Sequence, residues 1–225
     1  MTETSSFTYW NGSIEQCRAL QESLRARVVL TPCNRHFTTI GGADISFNPN
    51  SNIVYAAIVV LNSRSLAVID QVTITDTATF PYIPGYLSFR EVPSLLKAWS
   101  GLTHKPEVMM LDGHGILHPR RLGVATHFGL ETGIPTLGCA KKRLVGEYLE
   151  PGPNRGECSP IYYQQEHCGY VYRSRSQVKP IYISPGNGMS VDDALAVTKQ
   201  VGGNYRLPEP TRLAHQLANQ LRQRV

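Results

Sequence analysis

The chain has 225 residues, and one α/β domain spanning residues 1–225 is the simplest expectation for that length. Hydrophobic residues make up 41% of the chain and charged residues 17%, which fits a folded protein and argues against extensive disorder. The net charge of +5 permits a phosphate-rich partner without requiring one.

Membrane and secreted classes of protein are disfavoured. No run of residues is apolar for long enough to span a bilayer, and the N-terminus lacks the basic and apolar regions of a signal peptide. The five cysteines are scattered and form no CxxC pair, which is typical of free thiols in a reducing compartment. We therefore expect a cytoplasmic monomer that binds no membrane.

The N-terminal part of the chain predicts one helix followed by three antiparallel strands. Apolar residues recur at helical spacing, so residues 12–30 are predicted to form an amphipathic helix. Residues 39–47 are typical of a strand. Val54–Leu61 and Leu66–Asp76 are β-rich runs joined by a turn-like sequence, and we expect them to form a hairpin.

The rest of the chain alternates between helices and strands. Helices are predicted at Pro93–Trp99, Arg121–Gly129, Val191–Val201 and from Pro210–Thr211 onward. Strands are predicted at Val108–Leu111, Thr136–Ala140, Tyr170–Arg173 and Pro180–Ile183. Pro151–Ser159 is interpreted as a surface loop and Ser184–Gly188 as a plain turn. This order predicts an α/β fold with a mixed central sheet flanked by helices.

Three carboxylates stand out by their surroundings. Asp44 lies inside an apolar strand, Asp112 ends a buried strand, and Glu91 follows a proline-rich segment. Each has an ordinary explanation: a hydrogen bond to neighbouring backbone for Asp44, a helix cap for Asp112, a solvated helix start for Glu91. If the two aspartate-bearing strands are adjacent, however, their side chains meet at one end of the sheet. Oxygen-rich clusters of this kind suit Mg²⁺ or Mn²⁺.

The proline-rich segment places Tyr82 between Pro81 and Pro84. Each proline fixes its own φ and favours an extended conformation in the residue before it, so Tyr82 is expected on a stiff, projecting segment. Alone, this pattern favours a packed turn. Beside an acidic site, a stiff aromatic suits an enzyme that takes a base out of a nucleic-acid stack.

Basic and imidazole side chains supply further candidates. His215 shares a polar helix face with Asn219, which is either a solvated face or one that lies over the carboxylates. Lys141 follows a predicted strand and can neutralise a phosphate, and His118 lies just beyond Asp112. The remaining histidines that we assign to structural or surface positions are His104, His114, His127 and His167.

Four segments resemble motifs of the endonuclease V family, the deoxyinosine 3′ endonucleases. Phe80–Glu91 resembles the wedge segment, and Asp112–Ala125 resembles the central motif. Gly138–Leu144 and Tyr205–Arg212 are similar to two more. The resemblance covers roughly residues 12–215 in the right order. Asn187 departs from it, because a histidine is expected there, and this leaves the role of its turn open.

The resemblance implies an RNase H-like fold and a set of site residues. The catalytic residues that it implies are Asp44, Glu91, Asp112, Lys141 and His215. Of these, Asp44, Glu91 and Asp112 are implied to hold Mg²⁺, with Mn²⁺ as a substitute. The substrate-binding residues that it implies are Pro81, Tyr82, Ile83, Gly85, Arg90, Gly113 and His118. Tyr82 is then the wedge, and the backbone around Gly85 and Gly113 encloses a flipped hypoxanthine.

The activity implied is hydrolysis of the second phosphodiester bond 3′ to a deaminated base, which initiates DNA repair. The partner is DNA that contains deoxyinosine or another deaminated base, with inosine-containing RNA as an alternative. Two other functions stay open: a structure-specific nuclease of the same fold, such as a junction resolvase, and a nucleic-acid-binding module without metal chemistry. The three carboxylates argue against the binding module.

Overall fold

The structure is a computed structural model, and it describes residues 13–33 and 36–224. The helices in this part of the chain are α1 (Ile14–Arg25), α2 (Leu87–Gly101), α3 (Val124–Thr132), α4 (Val191–Gln200) and α5 (Glu209–Gln223). The strands are β1 (Thr39–Phe47), β2 (Ile53–Asn62), β3 (Val68–Thr77), β4 (Val108–Leu111), β5 (Thr136–Ala140), β6 (Cys158–Tyr163), β7 (Glu166–Tyr172) and β8 (Ile181–Asn187).

These strands form one mixed sheet in the order β3-β2-β1-β4-β5-β8-β7-β6. The pairs β1–β4 and β4–β5 are parallel, and the other neighbours are antiparallel. Helices α4 and α5 pack on one face of the sheet, and α2 and α3 pack on the other. The predicted meander of three strands and the mixed α/β sheet flanked by helices are both confirmed.

The burial of each strand follows from its place in the sheet. Strand β4, at the centre, is buried at all four positions and reads as a continuous apolar run. Strand β3, at one edge, alternates between half-buried and exposed positions along most of its length. The core therefore lies on both faces of the central strands, and those strands carry residues to a common edge.

Helix α5 lies unusually close to β1, and a glycine makes this possible. A Cβ atom at Gly42 would lie 2.0 Å from the carbonyl oxygen of Pro210, in the first turn of α5. That separation is far shorter than any real contact, so a side chain at this position is incompatible with the observed packing. Glycine at position 42 thus sets the distance between the strand and the helix.

The first helix is shorter than predicted. It begins after the N-cap Ser13 and ends at Arg25, so the prediction of a helix through residue 30 is wrong for residues 26–30; residue 12 lies outside the described residues. Val29 instead bonds to the end of β8, because its N–H donates to Asn187 Oδ1 at 2.9 Å and its carbonyl accepts from Gly188 at 2.8 Å. This contact also gives Asn187 a structural role.

Two helix starts differ from the predictions. Helix α2 begins at Leu87, six residues before the predicted start at Pro93, so Glu91 lies on its second turn. Helix α3 begins at Val124, three residues after the predicted start, because Arg121 has a left-handed backbone with φ of 59° and cannot belong to a helix.

The segment predicted as a plain turn, Ser184–Gly188, is mostly strand. Ser184–Asn187 completes β8, and Pro185 is accommodated there by a register shift against β5. Strand β6 was not predicted, because its first residues belong to the loop-like sequence Pro151–Ser159 and it contains Pro160. It lies at the edge of the sheet, where a proline is tolerated.

Two other expectations concern thiols and membranes. All five cysteines are free thiols, as predicted. Among residues 13–33 and 36–224, no helix combines the length and the apolar character needed to cross a membrane.

Candidate active site

Strands β1 and β4 bring two carboxylates together. The strands pair in parallel with Ala43 opposite Leu111. The residues that follow this pair, Asp44 and Asp112, therefore lie side by side at the C-terminal end of β4. The Asp112 N–H donates to the Ala43 carbonyl at 3.0 Å, which extends the pairing by one residue. Asp44 is buried, with 8% of its surface exposed. A buried mid-strand carboxylate is costly unless it is paired or binds a cation.

Helix α5 adds a histidine to this pair. His215 Nδ1 lies 2.6 Å from Asp44 Oδ2. Each of Asp44, Asp112 and His215 offers one ligand atom, and these atoms all lie within 4.8 Å of one another. The polar face of α5 therefore lies over the carboxylates. We call Asp44, Asp112 and His215 the acidic cluster.

Asn219, one turn further along α5, fixes the orientation of His215. The His215 carbonyl oxygen can only accept, so the Asn219 amide turns its Nδ2 towards that oxygen, and Ser46 Oγ donates to Asn219 Oδ1 at 2.9 Å. That Nδ2 lies 3.1 Å from His215 Nε2 and 2.9 Å from the His215 carbonyl oxygen. The amide donates to Nε2, and the proton of a neutral imidazole is therefore on Nδ1, facing Asp44.

Glu91 borders the acidic cluster from the other face of the sheet. It lies on α2, and burial together with the charges of Asp44 and Asp112 raises its carboxyl pKa to about 8. Burial and the charge of Asp44 also raise the pKa of Asp112. Carboxyl groups that repel one another in a buried site are stabilised by a divalent cation, so the donor set present here fits Mg²⁺ or Mn²⁺. Glu91 is not among the three residues whose ligand atoms lie within 4.8 Å.

Lys141 neutralises part of this charge. Its Nζ donates to Asp112 Oδ2. Arg206 holds the Lys141 backbone in place, because its Nη2 donates to the carbonyl oxygens of Lys141 at 2.7 Å and Pro180 at 2.9 Å. Arg206 lies in one of the motifs noted in the sequence, but nothing in the pattern indicated this contact over 65 positions.

The proline-rich segment presents Tyr82 to solvent. Tyr82 is 62% exposed, and among the described residues its ring pairs with that of Phe47, with 6.5 Å between ring centroids. Below it, Ile83 packs against a buried cluster of Phe80, Tyr86 and Phe89. We call Phe80–Tyr86 the wedge loop. Its tip, Pro81–Tyr82, projects outward from an apolar base.

The wedge loop is anchored through the Gly85 carbonyl oxygen. Gln21 of α1, which is fully buried, donates to this oxygen from Nε2 at 3.0 Å, and Arg120 Nη2 donates to it as well. Arg120 Nε also donates to Gln21 Oε1, and the guanidinium lies 4.3 Å from the Tyr86 ring centroid. Gly85 has φ of 81°, a conformation that favours glycine.

His118 lies beside Gly85 of the wedge loop, and Gly113 directly follows Asp112. His118 is buried and hydrogen-bonds to the Gly85 backbone; burial and the charge of Arg120 lower its imidazole pKa to about 4. Gly113 has φ of 153°, and a Cβ there would lie 2.6 Å from a Val124 methyl group. The bend at Gly113 therefore lies between Asp112 and the start of α3, next to the acidic cluster.

Arg90 is held by backbone carbonyl oxygens beside the wedge loop. It is buried, and its guanidinium donates to the Phe80 carbonyl at 2.7 Å and the Ser51 carbonyl at 2.8 Å. These contacts tie the start of the wedge loop to the β1–β2 turn. Both ends of the guanidinium are engaged by the protein backbone, and substrate binding by Arg90 stays a prediction from the sequence.

The comparisons with known proteins agree with this geometry. A sequence model of the family named endonuclease V matches residues 22–216. The chain belongs to the endonuclease V family. Endonuclease V of Xylella fastidiosa is 42% identical over 224 residues, which cover 98% of this chain and 94% of that relative.

Solved structures of endonuclease V share the fold. The crystal structure of endonuclease V from Streptomyces avermitilis has a TM-score of 0.90 and 36% identity, covering 96% of this chain and 95% of that one. Endonuclease V of Ciona intestinalis, solved with a 24mer DNA containing an inosine followed by a ribo-adenosine, has a TM-score of 0.81 and 24% identity, covering 94% and 98%. The predicted RNase H-like fold is confirmed.

Proposed function

We propose that the chain is a Mg²⁺-dependent endonuclease that recognises a deaminated base and hydrolyses the second phosphodiester bond on its 3′ side. The products are a 3′-hydroxyl and a 5′-phosphate, and the nick initiates DNA repair. One observation carries this proposal: the exposed Tyr82 projects from a loop anchored beside a partly buried acidic cluster. The inosine-containing DNA bound by the Ciona intestinalis family member supports the choice of lesion.

The residues proposed to hold the cation are Asp44, Asp112 and Glu91, with His215 beside them. When bound, Mg²⁺ supplies charge stabilisation to the scissile phosphate and lowers the pKa of a coordinated water. Mn²⁺ fits the same oxygen donors.

The protein side chains then divide the remaining work. Lys141 brings a positive charge to the phosphate at the edge where Asp112 lies. His215, with Nδ1–H directed at Asp44, orients a water or accepts its proton at Nε2 once that atom exchanges its hydrogen bond with Asn219. Tyr82 fills the space that the flipped base leaves, and Gly85, Gly113 and His118 border the pocket for that base.

Nicking of an inosine-containing duplex in Mg²⁺ tests this proposal. We expect a nick at the second bond 3′ to inosine, and no cut in the matched duplex without the lesion. Asp112→Asn should abolish the nick, because it removes a ligand charge while conserving shape. Asp192→Asn, an exposed carboxylate on α4, is the matched control. Nicking by Asp112→Asn at an undiminished rate would contradict the mechanism.

The same assay separates the alternatives. A resolvase-like enzyme would cut a four-way junction and ignore inosine, and it would have no use for the wedge loop. Matched DNA and RNA that contain inosine decide whether the 2′-hydroxyl is tolerated or required. A monomeric state and a cytoplasmic location stay predictions from the sequence.

A further inference from the structure

A cavity of about 620 Å³ opens next to the loop that follows Lys141. Its walls are residues 143–147 on one side and the β6–β7 hairpin end, residues 162–165, on the other. The two walls are joined by a pair of backbone hydrogen bonds between Glu147 and Tyr162, at 2.8 and 2.9 Å. These bonds connect the two walls of the cavity at one point.

The cavity begins within reach of the acidic cluster. Arg143 follows Lys141 by two residues, so their Cα atoms are at most about 7.6 Å apart. His114 Nε2 bonds to the Lys142 carbonyl at 3.0 Å, which ties this loop to the segment after Asp112. Phosphates of one strand recur about every 3.4 Å along a duplex axis. A strand whose scissile phosphate lies at Asp112 therefore reaches the cavity within a few nucleotides.

The chemistry of the walls suits a nucleotide. Tyr162 lines the cavity and is 48% exposed, its ring centroid lies 5.5 Å from that of His167, and Leu144 adds exposed apolar surface to the lining. Arg143 and the adjacent Lys142 supply positive charge, and the exposed amides of Gln164 and Gln165 can bond to base edges. An aromatic platform beside cations is the arrangement by which proteins bind unpaired strands. Glu147 is the acidic residue of the lining.

We propose that this cavity binds an unpaired nucleotide that flanks the scissile bond, with its base on Tyr162 and its phosphate against Arg143 and Lys142. The inference rests on the proposed function, because it assumes that a strand lies at the acidic cluster. It gives the enzyme a second contact with the substrate strand, separate from the pocket for the deaminated base. Strands with unpaired flanks then bind more tightly than fully paired ones.

Binding of labelled inosine oligonucleotides in EDTA tests the proposal by fluorescence anisotropy. The probes are a single strand that extends well beyond the inosine on both sides, two versions cut short on the 5′ or 3′ side, and the matching duplex. We expect wild type to bind one of the two shortened strands more weakly than the long single strand. Tyr162→Ala should weaken binding of the long single strand about 5- to 150-fold, with a smaller effect on the duplex. Tyr162→Phe should retain the affinity.

Salt dependence tests the phosphate contact. Arg143→Ala should lower the slope of log affinity against log salt by about one unit, because one phosphate contact is lost. Arg64→Ala, at the exposed β2–β3 turn, is the matched control and should leave the slope as it is. Melting temperatures of all variants show whether the loss is local.

Two results would overturn the inference. Either Tyr162→Ala and Arg143→Ala bind the long strand as wild type does, or they lose the same factor on every strand length. Failure of wild type to nick an inosine duplex in Mg²⁺ would instead refute the proposed function, and that result is obtained independently of the binding series.

Discussion

Gln21 and Gly85 are 64 positions apart in the chain, yet the side-chain amide of Gln21 donates to the Gly85 carbonyl at 3.0 Å. The contact links the first helix to the loop that presents Tyr82. Because Gln21 is fully buried and also accepts from Arg120, it fixes the wedge loop without touching a substrate.

Removing this anchor should loosen the wedge. Gln21→Ala leaves the Gly85 carbonyl with fewer donors and Arg120 without one acceptor, so we expect a stability loss of about 1–3 kcal/mol. Discrimination between inosine and undamaged duplexes should also fall several-fold, and the ratio of the two dissociation constants measures it. Gln16→Ala, on the exposed face of the same helix, is the control. Unchanged discrimination in Gln21→Ala would show that the loop needs no such anchor.

The exposed ring of Tyr82 should contribute to lesion binding and not to metal binding. Tyr82→Ala is expected to weaken binding of an inosine duplex about 5- to 150-fold, since stacking on an aromatic contributes about 1–3 kcal/mol per base. Affinity for Mg²⁺, measured calorimetrically without nucleic acid, should not change. Tyr82→Phe keeps the ring and should bind as wild type. Equal affinity of Tyr82→Ala and wild type for the lesion would refute the wedge.

Asn219 should act through the orientation of His215. Asn219→Ala removes the donor to Nε2 and frees the imidazole to rotate, so we expect kcat to fall about 10- to 100-fold, as is typical when a group that orients an active-site histidine is lost. KM for the inosine duplex should change little, because Asn219 contacts no substrate. Gln220→Ala, the exposed neighbour on α5, is the control. A change in KM alone would contradict this role.

Mg²⁺ binding should release protons near neutral pH. The raised pKa of Glu91, about 8, means that this carboxyl is protonated at pH 7 in the metal-free protein and must lose its proton to bind a cation. Affinity for Mg²⁺ should therefore rise as pH increases towards 8. Calorimetry in two buffers of different ionisation enthalpy counts the protons released, and Glu91→Gln should release fewer. No pH dependence in wild type would rule out Glu91 as a ligand.

Buried histidines should make the fold sensitive to acid. Burial lowers the pKa of His127 to about 3, so the folded state keeps this residue neutral where the unfolded chain binds a proton. Stability is then lost as pH falls below the unfolded value of about 6.5, by up to about 1.4 kcal/mol per pH unit. The slope of the free energy of unfolding against pH, measured with urea between pH 7 and 5, should be shallower for His127→Met than for wild type. The exposed His36→Gln should keep the wild-type slope. Equal slopes for His127→Met and wild type would contradict the burial effect.

Part of this site was predictable from the sequence because it depends on strand order. Asp44 lies inside the apolar strand β1 and Asp112 directly follows β4, and parallel pairing of these adjacent strands places the two residues side by side. The two prolines predicted a stiff segment around Tyr82, but alone they favoured a packed turn, and only the neighbouring acidic site made the exposed position of Tyr82 the expectation.

Other features could not be predicted, because they depend on contacts between distant segments. Gln21 looked like any polar residue of an amphipathic helix, and Arg206 like any surface cation. Asn187, which departs from the family pattern, holds Val29 through its side chain. Pro93 suggested a helix start that lies six residues too late, since tertiary packing overrode a local preference.

The position of His215 relative to Asp44 depends on the close packing of α5 against Gly42 of β1. Its backbone φ is one that any residue can adopt, so only space forbids a larger side chain there. Alanine at position 42 would push the first turn of α5 outward, and His215, five residues after Pro210, would move with it away from Asp44. The spacing between the His215 imidazole and the Asp44 carboxylate thus depends on the absence of a side chain at position 42 of the strand.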